Sequence, residues 1–359
     1  MINLYTMKKI SIAFIIAILF CWGCTKQITS LVPSAAPFPY PTTYSFPDAN
    51  FTTQQNVLDT IDQLMAAINQ GNTANTVVDT AAVKTFFNNN LIALCIPAAQ
   101  TDILRYIDSV GLFSHSTVPG IKGTAGVSVS PITPDSTYLF SDSGFVYSEL
   151  AKTALMEGLI AYQIERVYLG DSVNISIDTT AMKGVWDAAF GYYGVPVDFP
   201  TNKTGLRYWG YYSNLLDTTL NSNATIMNNF LIGRAATDNN YIQTSPALVN
   251  GTSYAAITDA ENIILAFDNL IAGVAIHELT EAHLNDSLGD PVIARADLSR
   301  SWGFLNSLNY NVSPLKTTAT QSILAAYGTD LYNFDYSYQK VDSIKTVIAG
   351  IYSIPSISF

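Results

Sequence analysis

Apolar residues along this chain recur at three- and four-residue spacing, the period of an amphipathic helix, in one segment after another. The pattern predicts helices over 56–68 (NVLDTIDQLMAAI), 81–94, 99–111 and, longest in the first half, 143–169, which Gly170 and Asp171 stop. The second half continues in the same manner, with helices expected over 180–192, 204–220, 224–237, 254–285, 294–308, 319–327 and 337–352. The two-residue period of a strand is not sustained anywhere. Two polar stretches, 114–142 and 170–180, carry β-branched and turn residues (AGVSVSPITPDSTYLF in the first), enough for a short hairpin and too few for a sheet. The expectation is an all-α fold over residues 54–359, an array of about ten helices or two apposed helical bundles. No repeat of fixed period is visible, which argues against a solenoid.

The first residues obey a different rule. Lys8 and Lys9 precede an apolar run, Ile10 to Phe20, too short to span a bilayer as a helix of about twenty residues, and so read as an export signal. Gly23 before Cys24 fits a bacterial lipobox, although Cys21 and Trp22 stand where a Leu and a small residue are usual. Residues 1–23 are thus expected to be a lipoprotein signal peptide and Cys24 the lipidated residue, an anchor worth about 0.8 kcal/mol per buried CH₂ of acyl chain. Thr25, rather than Asp, after the Cys favours the outer membrane, with either the periplasm or the cell surface faced. Residues 24–53 are rich in Pro, Ser and Thr (LVPSAAPFPYPTTYSFP) and are expected to run extended as a tether.

Composition narrows the partners. With 17 basic and 28 acidic residues the formal net charge is −11, and the leader removes two lysines and no acid, so a phosphate backbone would be repelled. Nucleic acid is not an expected partner. Of three cysteines, Cys21 leaves with the signal and Cys24 is acylated, so Cys95 remains as a small core residue and no disulfide framework exists.

Two segments hold candidate chemistry. GVAIHELTEAHLND (273–286) contains two of the three histidines beside Glu278, Glu281 and Asp286. It is not the His-Glu-x-x-His of a zinc protease, because Glu281 stands where the second His belongs, and His277 and His283 are six apart and point to different sides. His277 and Glu281, with Glu278, could still give ligands to a divalent or ferric metal completed from another helix; the plain alternative is the charged end of an ordinary helix. The third histidine, His115, is expected to be solvated in a loop.

The second segment, 186–236, is dense in aromatics, Gly and a few charges. Trp186, Asp187, Tyr192, Asp198, Arg207, Trp209 and Arg234 could line a cleft in which aromatic faces stack on a flat ligand while Asp and Arg fix its polar groups. The plainer reading is that the Asp and Arg side chains brace the interior against each other, as such pairs among aromatics more often do. No phosphate-binding Gly-rich loop, nucleophile elbow, paired Cys motif or calcium loop is present in the sequence.

GFVYSELAKTALMEGLIAYQ, WDAAFGYYGVPVDFP, LRYWGYYSN, FLIGRAA and SWGFLNSLNYN, in this order and spacing, resemble the helical lipoproteins of Bacteroidetes-type bacteria catalogued as domain of unknown function 4856. The likeness runs from YSFPDANFTTQQNVLDTIDQLM to the C-terminus. A more distant similarity joins the chain to imelysin-like proteins, which implies an all-helical, envelope-anchored protein linked to iron uptake; fold likeness alone does not carry function. In ARADLSRSWGF, Asp297 and Arg300 stand where the family likeness leads one to expect His and Glu, so a role resting on that pair does not transfer. These readings together imply an outer-membrane lipoprotein that serves as a non-catalytic binding or uptake-accessory module, with metal or iron as a ligand and an uptake complex as a partner. The alternatives are a glycan-binding component of a nutrient-uptake system and a helical hydrolase of peptides or glycans.

Overall fold

Helix starts and stops follow local chemistry in the computed structural model, which describes residues 36, 38–172, 179–239, 247–249, 252–254, 256–310 and 314–355. The segment expected to be a signal peptide, residues 1–23, and Cys24 lie outside the described residues.

Among the described residues there are twelve α-helices: α1 (Thr52–Asn69), α2 (Thr80–Asn90), α3 (Pro97–Ser114), α4 (Tyr147–Leu155), α5 (Thr179–Tyr193), α6 (Tyr208–Leu215), α7 (Asp217–Leu220), α8 (Ser222–Asp238), α9 (Ala256–Ser287), α10 (Pro291–Ser307), α11 (Pro314–Tyr327) and α12 (Tyr338–Tyr352). Asp79 caps α2 by accepting from the Ala82 N–H (3.0 Å), and Asp290 caps α10 by accepting from Val292 (3.2 Å) and Ile293 (3.1 Å). Pro97 and Pro291 open their helices at positions where a missing N–H costs nothing. Gly194 (φ 78°) follows α5, and Gly289 (φ 84°) lies in the turn after α9, each with a left-handed backbone that costs most side chains energy.

The all-α expectation holds. The hairpin expected within 114–142 is present as β1 (Gly126–Val129) paired antiparallel with β2 (Thr137–Phe140), Val127 opposite Leu139. A second small hairpin, β3 (Ala247–Val249) with β4 (Thr252–Tyr254), was not anticipated and precedes α9 where the helix was expected to begin. The helix expected from 204 begins at Tyr208, because Gly205 (φ 71°) and Tyr208 (φ 45°) break helical geometry at its entrance.

The long helix of the first half is interrupted. After Leu155 it continues as wide π-helical turns, Met156–Ala161 and Gln163–Ser172, a register that leaves carbonyls in search of donors. Ile96 N–H donates to the Gly158 carbonyl (2.9 Å), and the Trp209 indole N–H donates to that of Met156 (2.9 Å).

Helix α9 is the centre of the array, touching α6, α8, α10 and α12, while α10 also packs on α4. Residues Thr258–Ser287 are long and apolar enough to cross a membrane, but 67 % of their most apolar stretch is buried within the fold. Ile263, Phe267, Leu270, Val274 and Leu279 are all buried, so this apolar character is that of a core helix. The described residues all belong to one compact unit.

The tether expectation needs correction over its described part. Tyr44 is buried at 1 % exposure, stacks on Phe190 with ring centroids 3.8 Å apart, and donates its N–H to the Val197 carbonyl. Phe38 and Phe46 are buried too, so apolar and aromatic payload wins over the extended preference of the neighbouring prolines.

Candidate functional site

The set Trp186, Asp187, Tyr192, Asp198, Arg207, Trp209 and Arg234 does not come together as a cleft. Trp186, Tyr192 and Trp209 are buried at 0 %, 2 % and 0 % exposure, and Tyr193 at 0 %, so no face is free to stack on a ligand. Trp186 packs so closely on α8 that a Cβ added at Gly233 would stand 2.2 Å from its ring. Asp187 and Arg234 are an internal brace: Asp187 Oδ1 accepts from Arg234 Nε (2.9 Å) and from the Tyr44 hydroxyl (3.0 Å), and Oδ2 accepts from the Asn50 N–H (3.2 Å). The guanidinium also pairs with Asp48 (2.6 Å) and Asp238 (3.0 Å) and lies over the Phe46 ring. Burial pushes the Asp187 carboxyl up against the pull of Arg234, and the network ties residues 44–50 onto α5 and α8. Asp198 sits in the turn after α5, its carbonyl accepting from Thr201 and Asn202.

Arg207 alone of that group reaches a cleft, and it meets the histidine segment there. A cleft of about 780 Å³ is lined by Asp62 and Met65 of α1, Lys152 of α4, Leu206 and Arg207, Tyr208, Tyr211, Tyr212 and Leu215 of α6, His277, Glu278, Glu281 and Asn285 of α9, and Asp297 and Arg300 of α10. The four-residue spacing of His277, Glu281 and Asn285 sets them in one row on α9.

The floor is a hydrogen-bonded charge network. Glu278 Oε1 accepts from the Tyr212 hydroxyl (2.9 Å) and Oε2 from Arg300 Nε (2.7 Å). Arg300 also binds Asp297 and faces Glu149 (3.6 Å), and Asn285 donates to Asp297 Oδ2 (2.7 Å). Burial opposes the charge of Arg300, but Glu278, Glu149 and Asp297 more than offset it and hold its pKa well above the ordinary guanidinium range. Asp297 goes the other way: burial, with Glu278 and Glu281 adding to it, outweighs Arg300 and Asn285 and pushes its carboxyl up to about 7.

At the α1 end, Arg207 donates to Asp59 (2.8 Å) and Asp62 (2.5 Å), and the Tyr208 hydroxyl donates to Asp62 (2.5 Å). Tyr208 holds a left-handed backbone, φ 45°, which for a bulky residue costs about 1–3 kcal/mol and is met most often at functional sites. Lys152, His277 and Glu281 differ from these neighbours. Each is half-buried, and none of the three makes a side-chain hydrogen bond among the described residues.

The metal set expected of His277, Glu281 and Glu278 shares one wall but does not converge. Both oxygens of Glu278 are committed to Tyr212 and Arg300, and among the described residues no group of three or more His, Cys, Asp or Glu side chains is placed to hold a metal ion. His283, on another face of α9, bonds through Nδ1 to the Tyr336 carbonyl (2.7 Å), and His115 is exposed at the end of α3. Sequence reasoning missed Asp62, Lys152, Tyr208, Tyr211 and Asn285 and set Asp297 and Arg300 aside. The one available signal was the three-residue spacing of the last two, which allows an ion pair on one helix face.

No curated protein and no solved structure matches the chain. The model of a family described as Domain of unknown function (DUF4856) matches residues 45–354, a span that holds every element lining the cleft. The chain therefore belongs to the family of domain of unknown function 4856.

Proposed function

We propose that this chain is a bacterial envelope lipoprotein, anchored to the outer membrane through Cys24, that binds a small polar solute in the cleft between α1, α6, α9 and α10 and serves uptake rather than catalysis. The observation that carries this reading is the contrast within the cleft: Arg300, Glu278 and Asp297 are locked together as a floor, while Lys152, His277 and Glu281 face the space without partners among the described residues. Preorganised polar groups above a rigid, buried network are what a selective pocket requires, and the volume suits a small molecule. A metal ion is the less favoured occupant because both oxygens of Glu278 already accept hydrogen bonds and no group of three or more His, Cys, Asp or Glu side chains among the described residues is placed to hold one. A stacked sugar is less favoured because Trp186, Tyr192, Tyr193 and Trp209 are interior.

Equilibrium binding to the full chain in mild detergent, across cationic, neutral and anionic solutes, tests this. At least one class should bind the wild type and fail to bind the His277→Ala, Glu281→Ala double variant. Binding indifferent to the double substitution, or none from any class, rejects the reading. The anchor is tested separately, since Cys24→Ser should abolish labelling by radioactive palmitate.

A hydrolase is the second reading, favoured by one feature: burial, with Glu278 and Glu281 adding to it, pushes the Asp297 carboxyl within the cleft up to about 7. Turnover of a peptide or oligosaccharide, lost in Asp297→Asn with solute binding retained, would replace the binding module by an enzyme.

A further inference from the structure

Resting on the cleft reading above, we infer that the solute carries a cationic nitrogen, a primary ammonium or a guanidinium, that Glu281 receives from the α9 wall and the Tyr211 ring covers from α6. Three observations converge on this chemistry. The first is the state of the cations. Arg207 is consumed by Asp59 and Asp62, and Arg300 by Glu149, Glu278 and Asp297, so at either guanidinium an anionic solute would have to displace a carboxylate already in place, which leaves it Lys152 alone. Two guanidiniums thus face five carboxylates before Glu281 is counted, and Lys152 alone among the lining cations has no carboxylate partner among the described residues.

The second observation is the unpaired acceptor. Glu281 is half-buried, without a hydrogen bond among the described residues, and close enough to Asp297 for the two like charges to oppose each other. A cation between α9 and α10 relieves that repulsion as well as satisfying Glu281, whereas a neutral donor does only the latter. The third is an aromatic ring that α6 brings to the same cleft. Tyr211 is 52 % exposed and lines the cleft edge-on to Tyr212, with ring centroids 5.3 Å apart. An aromatic face beside carboxylates is a natural seat for a desolvated ammonium or guanidinium.

Calorimetric titration of the full chain in mild detergent with agmatine, 1,5-diaminopentane, succinate, N-acetylglucosamine and Zn²⁺ tests the inference. Agmatine and diaminopentane should bind, and Glu281→Gln should weaken them by about tenfold or more, the loss expected for a charged hydrogen bond. Lys152→Met should tighten both amines by removing a repelling charge, and an unchanged melting curve would show each variant folded. Amines that bind Glu281→Gln as well as the wild type would overturn the inference. Succinate or the sugar binding while the amines do not would overturn it too and leave the cleft reading standing. Zinc binding lost in His277→Ala, with the amines silent, would overturn it in favour of a metal. Silence from all five probes would overturn it together with the cleft reading.

Discussion

The Tyr212 hydroxyl donates to Glu278 Oε1 at 2.9 Å, both residues being 5 % exposed, and so joins the aromatic segment of the chain to its histidine segment. The two stretches that stood out in the sequence are thus one wall of one cleft. Tyr212→Phe keeps the packing but leaves a buried carboxylate oxygen without its donor, which costs about 1–3 kcal/mol. Urea unfolding should show a lower midpoint with an unchanged slope.

The Asp187–Arg234 pair is a brace, and its removal should be more severe. Arg234→Met leaves Asp187, at 2 % exposure, as an unpaired buried charge, with an expected loss of about 3–5 kcal/mol. Arg234→Lys should not rescue it, because one ammonium cannot reproduce contacts to Asp48, Asp187 and Asp238 together. Thermal melts of the two variants check this, and solute binding by whatever remains folded should be intact.

Asp297 should impose a pH dependence of definite sign. Its carboxyl is raised from 3.8 to about 7 in the folded protein, so between these values the folded state holds the proton more tightly than the unfolded state. The contribution to stability is full below about pH 4 and is lost as pH rises through 7, a change of order 4 kcal/mol at most. Unfolding free energies measured at intervals from pH 4 to 8 should show this fall in the wild type, and Asp297→Asn should flatten it.

Two glycines within helices should answer oppositely to alanine. At Gly233 in α8 the new Cβ meets the Trp186 ring at 2.2 Å, and overpacking of this kind costs about 1–3 kcal/mol. At Gly184 in α5 nothing lies within 4 Å, so Gly184→Ala should gain about 0.5–1 kcal/mol from helix propensity. Differential scanning calorimetry of the two variants gives both signs.

The helical character was legible because it rests on local periodicity: α9 reads as a helix from its apolar positions whatever surrounds it. The π-helical turns after Leu155 were not, since the apolar pattern runs through them and the donors that stabilise them, from Ile96 and Trp209, are distant in sequence. Residues 44–50 were mistaken for tether because prolines precede them, while their attachment depends on Asp187 and Arg234. In the cleft, the shared face of His277 and Glu281 followed from their spacing. Asp62, Lys152 and Tyr211 come from helices whose mutual packing no single segment encodes.

Nuclear magnetic resonance of the histidine side chains tests the cleft as binding site most directly, because the three histidines occupy three different surroundings. His277 lines the cleft, His283 is held by the Tyr336 carbonyl, and His115 ends α3 in solvent. On saturation with agmatine the His277 ring signals should shift while those of His115 and His283 stay in place. Shifts confined to His115 or His283, or no histidine shift under conditions where calorimetry detects binding, would place the solute elsewhere and contradict the account.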